Sequence, residues 1–346
     1  MVKAIQIGLG HWGFSWSKEV IPKVHAVEMV GYVDTSPDAT ARVQGELGID
    51  PKLCFTSLDE AAKRTDATLA ICTLRTEAHY PVVKRCLELG YNVIVEKPFT
   101  TTIAQGKELV ALAAQQGKVL MVSQNYRHQP GPIAVAELIA NGKFGAMNMV
   151  SLDFRRHGPT QGYRYWDMPD PLLADMSIHH FDLMRYVLGD EPVRLSCRTW
   201  NPPGSPFHFH PSGVATIEFS RGTMLSYRGS WMNSGPVTPW AGEWVMDAAE
   251  GQIRWSSRDH FRDKAGPDVL TLQPIDQSAE TVSLSPVKYP DRTGTLNAIA
   301  GVVDTGIIPT GFSSGQDNLG SLALVQASIM SASRGGDWVE MEEVLG

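Results

Sequence analysis

Up to about residue 123 the chain alternates short apolar runs with longer amphipathic stretches. The apolar runs Ala4–Ile7, Ala26–Val33, Ala67–Cys72, Tyr91–Val95 and Val119–Val122 predict strands. Between them the clearest helical patterns are Glu77–Leu89 and Ile103–Gln116. Strands separated by helices of this length imply βαβ units, a parallel sheet and right-handed crossovers. Beyond Val122 the period changes. A helix is predicted at Ile133–Ala140, a long strand at Met147–Arg156, then a loop rich in Tyr, Trp, Pro and Asp at Gly162–Pro171. A helix follows at Met176–Leu188. Strand-like runs come next at Val193–Trp200, Val214–Ser220, Thr223–Trp231, Glu243–Ala249, Gln252–Ser256 and Val269–Leu272. Such a run of strands predicts an antiparallel or mixed sheet with helices on one face. Ser313 and Ser314 can cap a last helix reaching about Ser333.

The first strand runs into Gly8-Leu9-Gly10-His11-Trp12-Gly13, a G-x-G-x-x-G that opens a helix. Glycines there permit a tight turn and close approach of backbone to a pyrophosphate, whose charge meets the helix N-terminus. Asp34 ends the second strand 21 residues after Gly13, the place of the acid that hydrogen-bonds the adenine ribose hydroxyls. A carboxylate there repels a 2′-phosphate, and Thr35-Ser36-Pro37 offers no adjacent Arg to receive one. NAD is therefore expected over NADP. The alternative is a glycine turn and a strand-ending Asp in a cofactor-free domain. The pattern as a whole predicts an α/β protein. An N-terminal Rossmann dinucleotide-binding domain would span residues 1–123. A C-terminal α+β domain with a large open, mostly antiparallel sheet would span 124–346 and serve substrate binding and oligomerisation.

Two further segments carry candidate chemistry. Glu96-Lys97-Pro98 follows directly on the strand Tyr91–Val95, and ligands of open parallel sheets bind beyond the carboxyl ends of the strands. Lys97 would thus stand beside the cofactor, able to hydrogen-bond a substrate hydroxyl and lower its pKa. On the helix from Met176, a 100° step places Asp175, His179, Asp182 and Tyr186 within an arc of about 60°. A narrow polar stripe on an apolar helix needs a reason, since buried polar groups are costly unless paired. One reason is catalysis, with His179 as general base and Asp175 fixing its tautomer. The other is a structural Asp/His pair one turn apart. His180 points to the apolar side and reads as a core histidine.

With these residues in view, the chain resembles the Gfo/Idh/MocA family of NAD(P)-dependent oxidoreductases. The likeness covers nearly the whole chain. It rests on Gly8–Gly13, Asp34, His79, Glu96-Lys97-Pro98, Asn125-Tyr126-Arg127, Asn141-Gly142-Lys143-Phe144-Gly145, Asp175-Met176-Ser177-Ile178-His179 and Ser314-Gly315-Gln316-Asp317. The resemblance implies Lys97, Asp175 and His179 as catalytic residues and a cis Lys97–Pro98 bond. It implies cofactor contacts from Gly8, Gly10, His11, Trp12, Gly13, Asp34, Thr73, Leu74, His79, Glu96 and Lys97. It also implies a sugar, cyclitol or polyol as substrate, oxidised at a secondary alcohol or reduced at the matching ketone. Lys97, Tyr126, Arg127, Arg156, Tyr163, Trp166, Asp175 and His179 are the residues expected to bind it. The alternatives are an NAD-dependent glycosidase working by transient oxidation, or a non-catalytic nucleotide-binding sensor. Two departures stand out. Leu74-Arg75 replaces the usual Pro-Asn pair, and Pro171-Leu172-Leu173-Ala174 replaces the glycine-rich run before the catalytic Asp.

Composition narrows the partners. Hydrophobic residues at 43% and charged residues at 19% suit two packed domains in 346 residues. A net charge of −7 without a basic run argues against nucleic acid. No apolar stretch approaches the roughly 18 residues of a membrane helix. The first strand starts almost at Met1, so no leader is expected, and Cys54, Cys72, Cys86 and Cys197 form no C-x-x-C pair. These features predict no metal site, a reducing compartment and a cytoplasmic protein. Val214–Ser220, Thr223–Trp231 and Glu243–Ala249 carry Ile217, Phe219, Met224, Leu225, Tyr227, Trp231, Trp244 and Met246, and alternation would give each strand two faces, one toward the helices and one free to pair with a partner. Covering that face predicts a homodimer or homotetramer.

Overall fold

A computed structural model describes residues 1–157, 164–257 and 268–346. The chain divides into two compact units. One holds residues 1–125 and 292–319, the other 126–291 and 320–346. The sequence places one boundary near 123; the contacts divide the chain there and again near 291 and 319, because a late segment returns to the first unit.

The first unit opens with β1 (Val2–Ile7), the short helix α1 (His11–Ser15) with a π-helical continuation at Trp16–Val20, and β2 (Val27–Val33). Then come α2 (Pro37–Leu47), β3 (Cys54–Phe55), α3 (Leu58–Arg64), β4 (Leu69–Cys72), α4 (Thr76–Glu88), β5 (Asn92–Glu96), α5 (Ile103–Gln115) and β6 (Leu120–Ser123). The six strands lie in the order β3-β2-β1-β4-β5-β6, and every pairing is parallel. This is the doubly wound order with its switch point at β1 and β4. Strand residues such as Ile5, Ala70, Val93 and Val122 are fully buried, as expected of a sheet covered on both faces.

The second unit starts with α6 (Pro130–Ala140), β7 (Met147–Arg155), a π-helical turn at Leu172–Met176 and α7 (Ser177–Leu188). It continues with β8 (Pro192–Trp200), β9 (Ser212–Phe219), β10 (Met224–Ser230), β11 (Glu243–Ala248), β12 (Gly251–Ser256), β13 (Val269–Pro274) and β14 (Glu280–Thr281). The helix α8 (Asp291–Thr305) then belongs almost wholly to the first unit, and α9 (Gly315–Ser333) passes from the first into the second. A final β15 (Val339–Glu340) and α10 (Met341–Leu345) close the chain. The nine-stranded sheet has the order β14-β13-β12-β11-β7-β10-β9-β8-β15. Only β7 and β10 run parallel among its pairings.

The expected apolar second face is corrected here. Ile217, Phe219, Leu225, Tyr227, Trp231, Trp244 and Met246 are all buried, on a single face. A strict period of two sends their neighbours the other way. That opposite face presents Ser151, Asp153, Thr216, Ser226, Arg228 and Arg254, together with the exposed apolar residues Met149, Trp200, Val214 and Val269. Cross-strand pairs Arg228–Asp153 (2.7 Å) and Arg155–Glu243 (2.5 Å) tie it together. Among the described residues no helix is long and apolar enough to cross a membrane.

Candidate functional site

The candidate residues fall into two sets, one in each unit. In the first, the glycine loop is shaped by what surrounds it. Gly8 has φ +91°, and a Cβ there would lie 2.7 Å from Leu74 Cδ2; a Cβ on Gly13 would collide with the Gly8 carbonyl and come within 2.8 Å of Thr73 Oγ1. Gly10 differs. Nothing among the described residues lies within 4 Å of where its Cβ would stand, so its bareness leaves an open cradle at the start of α1. That fits a pyrophosphate approaching the backbone.

The loop is locked from below by side chains that the sequence reading passed over. Gln6 Nε2 donates to the Gly13 carbonyl (2.7 Å) and to Thr73 Oγ1 (3.1 Å), and Ser17 Oγ donates to Gln6 Oε1 (2.6 Å). Thr73 Oγ1 donates to the Gly8 carbonyl at 2.7 Å. Thr73 and Leu74, expected at the cofactor, thus also hold the loop. A polar Gln at a fully buried strand position was the available signal. Asp34 accepts from Leu9 N (2.6 Å) and Ser36 N (2.9 Å), which brings its carboxylate to the loop itself. Trp12 carries the Arg292 guanidinium 4.4 Å above its ring. The same guanidinium reaches Ser15 Oγ at 3.2 Å and Glu19 at 3.4 Å. His11 is exposed at the first helical position.

Glu96, Lys97 and His79 cluster at the end of β5. The Lys97–Pro98 bond is cis. Glu96 is buried; its Oε1 accepts the Trp16 indole N–H at 2.7 Å and its Oε2 accepts Lys97 N at 3.3 Å. Lys97 is half-buried. His79, placed on α4, has Nδ1 2.8 Å from the Pro98 carbonyl and Nε2 3.2 Å from the Leu74 carbonyl. Burial is the largest influence on its imidazole and lowers its pKa below the ordinary value.

In the second unit α7 is buried on nearly every side. Asp175 sits in the π-helical turn that precedes it, and Asp175 and His179 are each 8% exposed. The bulky Leu172 of that turn packs against the sheet where Gly213 and Gly229 have no side chains; a Cβ on Gly229 would lie 3.0 Å from Leu172. Here the small residues lie on the strands instead of in the turn. Tyr126 stacks on His179, centroids 4.3 Å apart. Arg127, expected to bind substrate, donates through its Nε and one terminal amino group to the two Asp182 oxygens, both at 2.6 Å. Ser321 Oγ adds a bond to Asp182 (2.8 Å) and receives one from Arg185 (2.8 Å). The Asp182 half of the stripe therefore organises Arg127.

His180 is a core histidine, as expected. Its Nε2 lies 3.0 Å from the Trp240 carbonyl, so Nε2–H donates, and Nδ1 accepts from the Tyr227 hydroxyl at 3.1 Å. Burial pushes its pKa down to about 4. Arg156 lies 4.2 Å above the Trp240 ring. Trp166 is half-buried. Trp231 packs edge-on to Phe154 (5.2 Å), and Trp244 stacks on Trp255 (4.7 Å). Tyr163 lies outside the described residues.

A family model described as an oxidoreductase family with an NAD-binding Rossmann fold matches residues 3–124, and the GFO/IDH/MocA C-terminal domain matches 133–252. The chain belongs to the Gfo/Idh/MocA family of oxidoreductases. An uncharacterized protein of Sinorhizobium fredii, y4oX, is 25% identical over 99% of this chain and 96% of its own. D-apiose dehydrogenase of Paraburkholderia graminis is 27% identical over 83% of this chain and 76% of its own. Among solved structures, an inositol dehydrogenase homolog from Azotobacter vinelandii in complex with NADH and myo-inositol superposes with a TM-score of 0.80. It is 18% identical, over 98% of this chain and 97% of that one.

Proposed function

We propose that this protein transfers a hydride between NAD and a secondary alcohol or ketone of a sugar, cyclitol or related polyol. The observation that supports the reading is the carboxyl end of the parallel sheet, where the open cradle at Gly10 follows β1, the Asp34 carboxylate that meets Leu9 follows β2, and Lys97 follows β5. The relatives named as sugar and inositol dehydrogenases support the substrate class.

The residues suit the roles. The bare Gly10 and the N-terminus of α1 would take the pyrophosphate, and Asp34 the adenine ribose. NAD supplies the hydride acceptor when bound. Lys97 hydrogen-bonds the reacting oxygen and stabilises the charge that develops on it. His179 removes the hydroxyl proton in the oxidative direction and returns it in the reductive one, with Asp175 supporting its basicity. Tyr126, beneath the His179 ring, limits its rotation. Arg156 and Trp166 are further candidates for substrate contact. We further propose a homo-oligomer, built through the polar sheet face, working in the cytoplasm.

The test is a screen of sugars and polyols with NAD and NADP, followed by absorbance of the reduced cofactor. Steady accumulation of NADH with one polyol class supports the reading. Turnover of a glycoside without accumulation would replace it by the NAD-dependent glycosidase. Tight NAD binding with no turnover on any polyol or glycoside would leave a sensor.

A further inference from the structure

His79 meets two groups that can only accept hydrogen bonds. Its ring is 1% exposed, with the Pro98 carbonyl 2.8 Å from Nδ1 and the Leu74 carbonyl 3.2 Å from Nε2. A neutral imidazole has one N–H, so it can donate to one of these oxygens and must turn a lone pair on the other. The shorter contact marks the donor. The ring bonds through Nδ1–H to the turn that carries Lys97, and accepts an unfavourable approach to Leu74 O in exchange.

The other side of Lys97 is also pinned. Glu96 takes the Trp16 indole N–H on one oxygen and the Lys97 backbone N–H on the other. The residues before and after Lys97 are thus each tied to a buried ring, one from the π-helical segment after α1 and one from α4. A lysine side chain is long and flexible, and an error of about 1 Å in a reacting group can cost about a hundredfold in rate. Fixing the backbone on both sides is how such a side chain is aimed.

We propose that His79 is a positioning residue for Lys97, and that its Nδ1–H bond to the Pro98 carbonyl is the operative contact; this rests on the reading of Lys97 as an acid–base group. Both ring nitrogens of His79 are engaged by the protein.

The test uses the two amides that imitate one nitrogen each. His79→Asn keeps a donor near the Nδ1 position, whereas His79→Gln reaches toward Nε2. Turnover on the active polyol should fall about tenfold to a hundredfold in His79→Gln and less than about threefold in His79→Asn, as expected for a displaced but intact catalytic group. NAD affinity, read from tryptophan fluorescence, should change little in either. An independent readout follows Lys97 itself. After reductive methylation with ¹³C-formaldehyde, the dimethyl-Lys97 resonance, assigned by its loss in Lys97→Arg, should shift in His79→Gln and stay in place in His79→Asn. Equal behaviour of the two variants in both readouts overturns the proposal. A shifted resonance in a protein that turns over no polyol keeps the positioning role and removes the dehydrogenase reading.

Discussion

Tyr126 lies flat against His179, with ring planes inclined by only 20°, and the next residue in the chain, Arg127, grips Asp182 in a two-pronged ion pair. His179 and Asp182 are three apart on α7, so they share one helix face. The dipeptide Tyr126-Arg127 therefore reads that face twice, ring on ring and cation on carboxylate. The second contact sets the register of the first.

Removing the carboxylate should separate stability from catalysis. Asp182→Ala takes the two-pronged Asp182 carboxylate away from the buried Arg127 guanidinium, 4% exposed. Breaking one half of a buried pair costs about 3–5 kcal/mol, to be read as a lower urea midpoint. Tyr126→Leu should cost less stability yet lower turnover. An Asp182→Ala protein as stable as the wild type would show that the pair does not hold this region.

The acid–base assignment makes a sharper kinetic prediction. His179→Ala should reduce turnover by roughly 10²–10⁴, the usual worth of a positioned general base. Lys97→Ala should reduce it comparably, and NAD should still bind to both. If His179→Ala turns over the true substrate at a near-normal rate, the base lies elsewhere.

Cofactor choice turns on Asp34. Its carboxylate is close enough to accept from Leu9 N and Ser36 N, so a 2′-phosphate would approach a like charge. NAD should bind more tightly than NADP by about tenfold to a hundredfold, equivalent to roughly 1–3 kcal/mol. Asp34→Asn keeps an acceptor for Leu9 N while removing the charge, and should narrow the ratio. Titration of both cofactors decides, and equal affinities in the wild type would contradict the argument.

Desolvated histidine rings predict how stability depends on pH. Loss of water around the ring holds half-buried His128 and buried His180 at about 4, below the ordinary 6.5, and lowers His79 as well. Unfolding returns each ring to its ordinary value, so between about pH 6.5 and 4 the unfolded chain binds more protons. The stabilisation is complete above about pH 6.5 and is lost as pH falls through that window, by up to about 3 kcal/mol per ring. Urea midpoints at pH 7.5 and 4.5 should differ accordingly. A flat profile would mean that the rings are charged in the fold.

The sequence made most elements legible because their apolar periods are strong. The predicted strands Ala4–Ile7 and Tyr91–Val95 are observed at Val2–Ile7 and Asn92–Glu96, and Ile103–Gln116 at Ile103–Gln115. Ser314 Oγ does accept from Asp317 N at the start of α9. What escaped depends on distance in space. The helix α8 buries polar Arg292, Thr293 and Thr295 beside Leu296, Ile299 and Ala300, which blurs the apolar stripe a sequence reading looks for. Its return to the first unit follows from contacts such as Ser123 Oγ with Thr295 Oγ1 (3.2 Å), which no local pattern encodes. The Gly, Asp, Lys and His of the site stood out as motifs. Gln6 and Trp16 did not, and Asp182 stood out only as one member of the polar stripe, because each works through a partner more than 50 residues away.

Association should follow the chemistry of the sheet face that the structure presents. That face mixes charged and polar side chains with exposed Met149, Trp200, Val214 and Val269, so a homo-oligomer formed through it would draw on ionic as well as apolar contacts. Arg228 and Asp153, with side chains 54% and 37% exposed, already pair within the chain. Exposed pairs of this kind contribute less than about 1 kcal/mol each and are screened within about 10 Å at 0.1 M salt. A partner laid across the face would remove them from water and strengthen them. Light scattering at micromolar concentration should therefore give twice or four times the chain mass of 37.9 kDa at low ionic strength, falling as salt is raised. Arg228→Glu, which sets two acids side by side, should lower the mass at low salt. A mass of 37.9 kDa under all these conditions would refute association. An oligomer indifferent to both salt and Arg228→Glu would place the interface on another surface.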